Sequence, residues 1–114
     1  MIFELSFELK RQLQNTLSIF DFDAKPLDLV HEFGYFLYLY EQEEADSHGV
    51  SGLYSSNDKA IWIAENKFED EYLLWSTFSH EFGHLFLDEI SYTDFNRRYK
   101  SGDALFSEVL EDEQ

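Results

Sequence analysis

Between residues 69 and 87 large apolar side chains recur at helical spacing. Leu74, Phe78, Phe82, Leu85 and Phe86 cluster on adjoining faces, and no proline interrupts them. The spacing predicts one long, mostly buried helix, around which the other elements must pack. Upstream, the aromatic run 35–40 reads as a buried strand. The segments 50–54 and 60–64 flank Ser55-Ser56-Asn57-Asp58-Lys59, a turn-forming composition, and read as two paired strands. The polar stretch 41–48 between them reads as a loop.

The ends are expected to be helical. Phe3, Leu5, Phe7, Leu9, Leu13, Leu17 and Phe20 mix two periods, but the last four step at helical spacing, so a helix is expected over about 3–20. Pro26 suits the first turn of a short helix through Phe33, which Gly34 closes. A weaker helical stretch over 104–113 turns Leu105, Phe106, Val109 and Leu110 inward. The order is α-α-β-β-β-α-α. It predicts an α+β fold, a small antiparallel or mixed sheet of about three strands packed with helices. With 114 residues and no Ser/Gly-rich linker, 1–114 reads as one domain.

Composition narrows the function classes. Hydrophobic residues make up 44% and aromatics 18%, enough for a core, so the high charge does not signal disorder. No cysteine is present, which excludes disulfides, zinc–thiolate sites and thiol nucleophiles. No apolar run has the length of a membrane span, and Met1-Ile2-Phe3-Glu4-Leu5 lacks the pattern of a secretory signal; a cytoplasmic location is expected. The formal charge is −16, which repels phosphate. The one tight basic cluster, Arg97, Arg98 and Lys100, is flanked by Asp94 and Asp103, so no direct nucleic-acid binding is expected. The acidity reads first as a solvated surface, and second as attraction to a basic partner or mimicry of DNA charge.

Within the long helix, His80-Glu81-Phe82-Gly83-His84 is an H-E-x-x-H motif. Histidines at i and i+4 lie one above the other, so their imidazoles can converge on one ion. Glu81 is offset by about 100° from His80 and about 60° from His84, beside the pair, where it can accept a proton from water. Imidazole and carboxylate with one open position suit Zn²⁺.

A metzincin needs Gly at 87 and His at 90, but Leu87 and Ile90 stand there. Asp88 lies about 12 Å along the axis from His80, far for a shared ion, and reads as a supporting or solvated residue. Carboxylates of the last helix, Glu108, Glu111, Asp112 and Glu113, are the candidates for a third ligand. His31-Glu32-Phe33-Gly34-Tyr35 repeats the first four letters, but Tyr stands where the second ligand belongs. His31 therefore reads as a half-buried histidine rather than a ligand, and His48, in its polar stretch, is read the same way.

Over roughly residues 49–114 the sequence resembles the ImmA/IrrE metallopeptidases. The likeness rests on Gly49-Val50-Ser51-Gly52-Leu53-Tyr54, the strand Ala60-Ile61-Trp62-Ile63-Ala64, and Leu74 to Leu85 with the H-E-F-G-H run. The resemblance implies a zincin-like, small gluzincin-type endopeptidase. Its third zinc ligand maps onto Leu110-Glu111-Asp112-Glu113, with Glu111, preceded by an apolar residue, as the match. It also implies a protein substrate, a helix-turn-helix repressor of a phage or mobile element. The family's Ala/Phe-rich stretch ending near Met-Pro does not occur in the sequence, and Asp88 stands where the family often has His. These departures and the acidity favour a second expectation, a non-catalytic acidic module that sequesters a repressor or mimics DNA. In the catalytic reading, the strand 60–64 is the edge against which an extended substrate pairs.

Overall fold

The computed structural model describes residues 2–20 and 25–89. The closing helix expected over 104–113, and with it Glu108, Glu111, Asp112 and Glu113, lies outside the described residues.

The described chain is α+β, with a mixed sheet of four strands rather than three. Strand β1 (Ile2–Glu4) is followed by helices α1 (Phe7–Ile19) and α2 (Lys25–Glu32). Then come β2 (Phe36–Tyr40), α3 (Gln42–His48), β3 (Gly52–Ser55), β4 (Ala60–Ala64), a 3-10 turn (Glu65–Glu69) and α4 (Glu71–Glu89). The spatial order is β1-β2-β4-β3; β2 pairs parallel to β4, and the other two pairings are antiparallel.

Three expectations are corrected. The helix over 3–20 divides: its alternating part becomes β1, and the helix starts only after Ser6, whose hydroxyl accepts the Leu9 amide at 3.2 Å. The stretch 41–48 is not a loop but holds α3, which buries only Ala45 and so shows no apolar stripe in sequence. Gly49 ends α3 at φ 66°, a left-handed cap. The strand 60–64 is not an edge, since β4 lies inside the sheet between β2 and β3.

Alternation along the strands sorts two cores. Leu37, Ile61 and Ile63 face α1, α2 and α4, meeting Leu13, Leu17, Leu29, Phe78 and Phe82. On the other face Tyr40, Ala60, Trp62 and Ala64 pack with Ala45 of α3. The long helix is anchored by both ends of this logic. Asp70 caps it, its carboxylate accepting the Leu73 amide at 3.0 Å. Phe78 and Phe82, both fully buried and stacked at 5.7 Å, hold its middle against the sheet. Burial of one such side chain contributes about 1.5–3 kcal/mol. The register of α4 is thereby fixed, and with it the direction of the residues on its other faces.

Candidate metal centre

Pinning Phe78, Phe82 and Phe86 to the core turns the next face of α4 towards β3. On that face His80 is exposed, His84 is half-buried and Glu81 is buried at 8% exposure. The two imidazole centroids are 5.1 Å apart with planes at 87°. His80, Glu81, His84 and Asp88 line one wall of a cavity of about 500 Å³, and Gly52, Leu53 and Tyr54 of β3 line the other. Both histidines and the carboxylate thus share one cavity, as the motif's spacing implies. Among the described residues no group of three or more His, Asp or Glu gathers to hold a metal ion. Two imidazoles beside a buried carboxylate fit zinc as a partial donor set, to which a third protein ligand has to be added.

Gly52 sets the distance between strand and helix. A Cβ there would lie 2.9 Å from Thr77 Cγ2, 3.0 Å from the Trp62 carbonyl oxygen and 3.2 Å from Glu81 Cγ. Only glycine lets β3 approach closely enough to shield Glu81. A glycine inside a strand is the sequence signal for such an approach, but its partner cannot be read from the chain.

Tyr54 is a site residue that the sequence does not single out among seven tyrosines. Its ring stacks on His84 at 5.7 Å and 17°. Its hydroxyl donates to Asp88 Oδ2 at 2.8 Å and meets the Tyr35 hydroxyl at 3.0 Å. Tyr35 reaches Glu89 Oε1 at 3.0 Å, and Lys59 Nζ donates to the same oxygen at 3.1 Å. Three contacts run through two phenols that carry one proton each, so the hydroxyl protons can serve only two of them at once. Burial, then the bonds to Tyr35 and Asp88, push the Tyr54 phenol far above the ordinary tyrosine value. Tyr35 is raised as well, chiefly by burial. Both remain protonated donors at neutral pH. Asp88 thus accepts a hydrogen bond from the tyrosine that stacks on His84.

The remaining histidines stand apart. His31 is exposed on α2 rather than half-buried, because the buried side of that short helix is taken by Leu27, Leu29 and Val30. His48, in the last turn of α3, places Nδ1 2.8 Å from the Tyr40 hydroxyl. Neither lines the cavity beside His80 and His84.

Among the described strands, the edge of the sheet beside the site is β3, not β4. The Ala64 amide donates to the Ser51 carbonyl at 2.9 Å, which makes Ser51 and Ala64 a bonded pair. Bonded and non-bonded pairs alternate in an antiparallel ladder. Gly52, opposite Ile63, and Tyr54, opposite Ile61, therefore point their backbone N–H and C=O groups away from β4. Among the described residues no strand pairs with that edge.

Comparison with protein-family models, curated proteins and solved structures finds no match to this chain. No described helix is long and apolar enough to cross a membrane.

Proposed function

We propose that the chain is a zinc-dependent endopeptidase of the ImmA/IrrE kind, acting in the cytoplasm on a protein substrate. The observation that carries this reading is the shared cavity: His80, Glu81 and His84 open together beside β3, which no described strand pairs on its outer side. His80 and His84 would hold the ion, with Glu111, outside the described residues, as third ligand. When bound, zinc supplies a Lewis acid that polarises a peptide carbonyl and lowers the pKa of water towards about 7.

The protein's own groups do the rest. Glu81, buried and held against Gly52, takes the proton of the attacking water on its carboxylate and returns it to the departing amine. Gly52 and Tyr54 offer the backbone donors and acceptors that align an extended segment by strand addition. Such a segment is supplied by a locally unfolded stretch of a helix-turn-helix repressor, the substrate that the sequence resemblance implies.

A second reading is favoured by the charge of −16: an acidic module that sequesters the repressor without cutting it. Glu81→Gln separates the two. A general base is not a ligand, so the variant should keep its fold and zinc content yet lose at least about 10²-fold in cleavage. Wild type and variant are incubated with a repressor encoded at the same locus, and both fragments and repressor–DNA binding are followed. Relief of repression by the variant, with no fragment formed by either protein, would overturn the peptidase reading in favour of the acidic module.

A further inference from the structure

His80 and Glu81 line two cavities, not one. Towards the C-terminal end of α4 lies the cavity of about 500 Å³ that also holds Tyr54, His84 and Asp88. Towards its N-terminal end lies a second, of about 330 Å³, lined also by Ser51, Lys67, Leu73 and Thr77. The two share His80 and Glu81 as a common wall, and together they make a groove along α4 beside Ser51, Gly52, Leu53 and Tyr54. From Leu73 to Asp88 the helix advances about 22 Å. That length accommodates about seven residues of extended chain at roughly 3.3 Å each.

The groove is electrically polar along its length. Lys67 is the cation at one end, and among the described residues its ammonium forms no ion pair. Asp88 is the anion at the other; it is exposed, and Tyr54 engages only one of its two oxygens. The centre lies between them. β3 runs in the same sense as α4, because Gly52 faces Thr77 and Glu81 while Tyr54 meets His84 and Asp88. Its chain direction is thus from the Lys67 end to the Asp88 end.

Resting on the peptidase reading, we infer that the groove selects an extended peptide by the order of its charges. Antiparallel addition is the more stable pairing, so the bound chain runs opposite to β3, from Asp88 to Lys67. A basic side chain then precedes the scissile bond and an acidic one follows it. The overall charge of −16 attracts any basic segment, but it carries no information about order. Only the two ends of the groove supply that. Exposed pairs are weak, worth about two- to fivefold each in affinity and less at high salt.

The test uses two labelled decapeptides of identical composition, with two lysines in the first half and two glutamates in the second, or the reverse. The zinc-loaded full chain carrying Glu81→Gln keeps the peptides intact for anisotropy titration, and wild type is used for cleavage. The lysine-first peptide should bind at least about fivefold tighter, since two attractions replace two repulsions. Asp88→Asn, which retains an oxygen for Tyr54, and Lys67→Gln should each reduce the preference, and together they should erase it. Equal affinities, the opposite preference, or an unchanged ratio in both variants would overturn the inference. If wild type cuts both peptides equally, charge selection fails and the peptidase reading stands. If neither peptide binds or is cut, both fall.

Discussion

Replacing Gly52 by alanine tests the close approach of strand and helix that shields Glu81. The added methyl meets three atoms, at 2.9 Å in Thr77, 3.0 Å in the Trp62 carbonyl and 3.2 Å in Glu81. The first is the tip of a side chain, but the second is the backbone of the central strand β4 and cannot move aside alone. The backbone at Gly52 is not left-handed, so the cost is overpacking rather than strain in φ. Overpacking a well-filled site costs about 1–3 kcal/mol. For a domain of this size that lowers the melting temperature by roughly 5–20 °C. Denaturant unfolding followed by Trp62 and Trp75 fluorescence should show a lower midpoint with an unchanged slope. Thr77→Ser removes the nearest atom, so the double variant should recover part of the loss, with a coupling of at least about 0.5 kcal/mol. A midpoint equal to wild type in Gly52→Ala would refute the argument, because it would mean that strand and helix are not in forced contact.

The purified chain should hold about one zinc by elemental analysis, lost in a His80→Ala/His84→Ala double variant. Glu111→Ala should lower zinc affinity while Glu108→Ala leaves it unchanged; a loss seen only in Glu113→Ala would move the ligand by two positions, about 200° around a helix. Hydrogen bonds from Lys59 and Tyr35 hold Glu89 below its ordinary carboxylate value, so its contribution to stability is present at neutral pH and lost as pH falls through the depressed value. Wild type should therefore exceed Glu89→Gln in stability at pH 7, and their unfolding midpoints should converge in acid.

Legibility of the fold followed the length of its periodic signal. The 19 residues of α4 and the hairpin of β3 and β4 stand where apolar spacing and turn chemistry place them. β1 has three residues, all exposed, and its alternation runs into the helical spacing of α1, so the two merge in sequence. α3 buries one alanine, which leaves no stripe to read. The order of strands is a tertiary fact: β2 passes over the hairpin's outer strand to pair with β4, and no local pattern carries that choice. The edge consequently fell to β3.

The same division explains what could be read of the site. His80, Glu81 and His84 share one helix, so the 3.6-residue period alone relates them. Gly52, Tyr54 and Lys67 enter the site from other elements, and only the packing of α4 against β3 makes them neighbours. That packing also sets the division of labour within the helix. Phe78, Phe82 and Phe86 secure one face in the core, and this rigidity is what holds His80 and His84 at a fixed separation on the next. Glu81 lies at the junction of the two faces, buried at 8% yet lining both cavities. As the base of the proposed peptidase, Glu81 would meet the groove at its midpoint, so a bound segment would present one of its central peptide bonds to it, with residues left on either side. For the proposed peptidase, this geometry favours cleavage within a chain over removal of terminal residues.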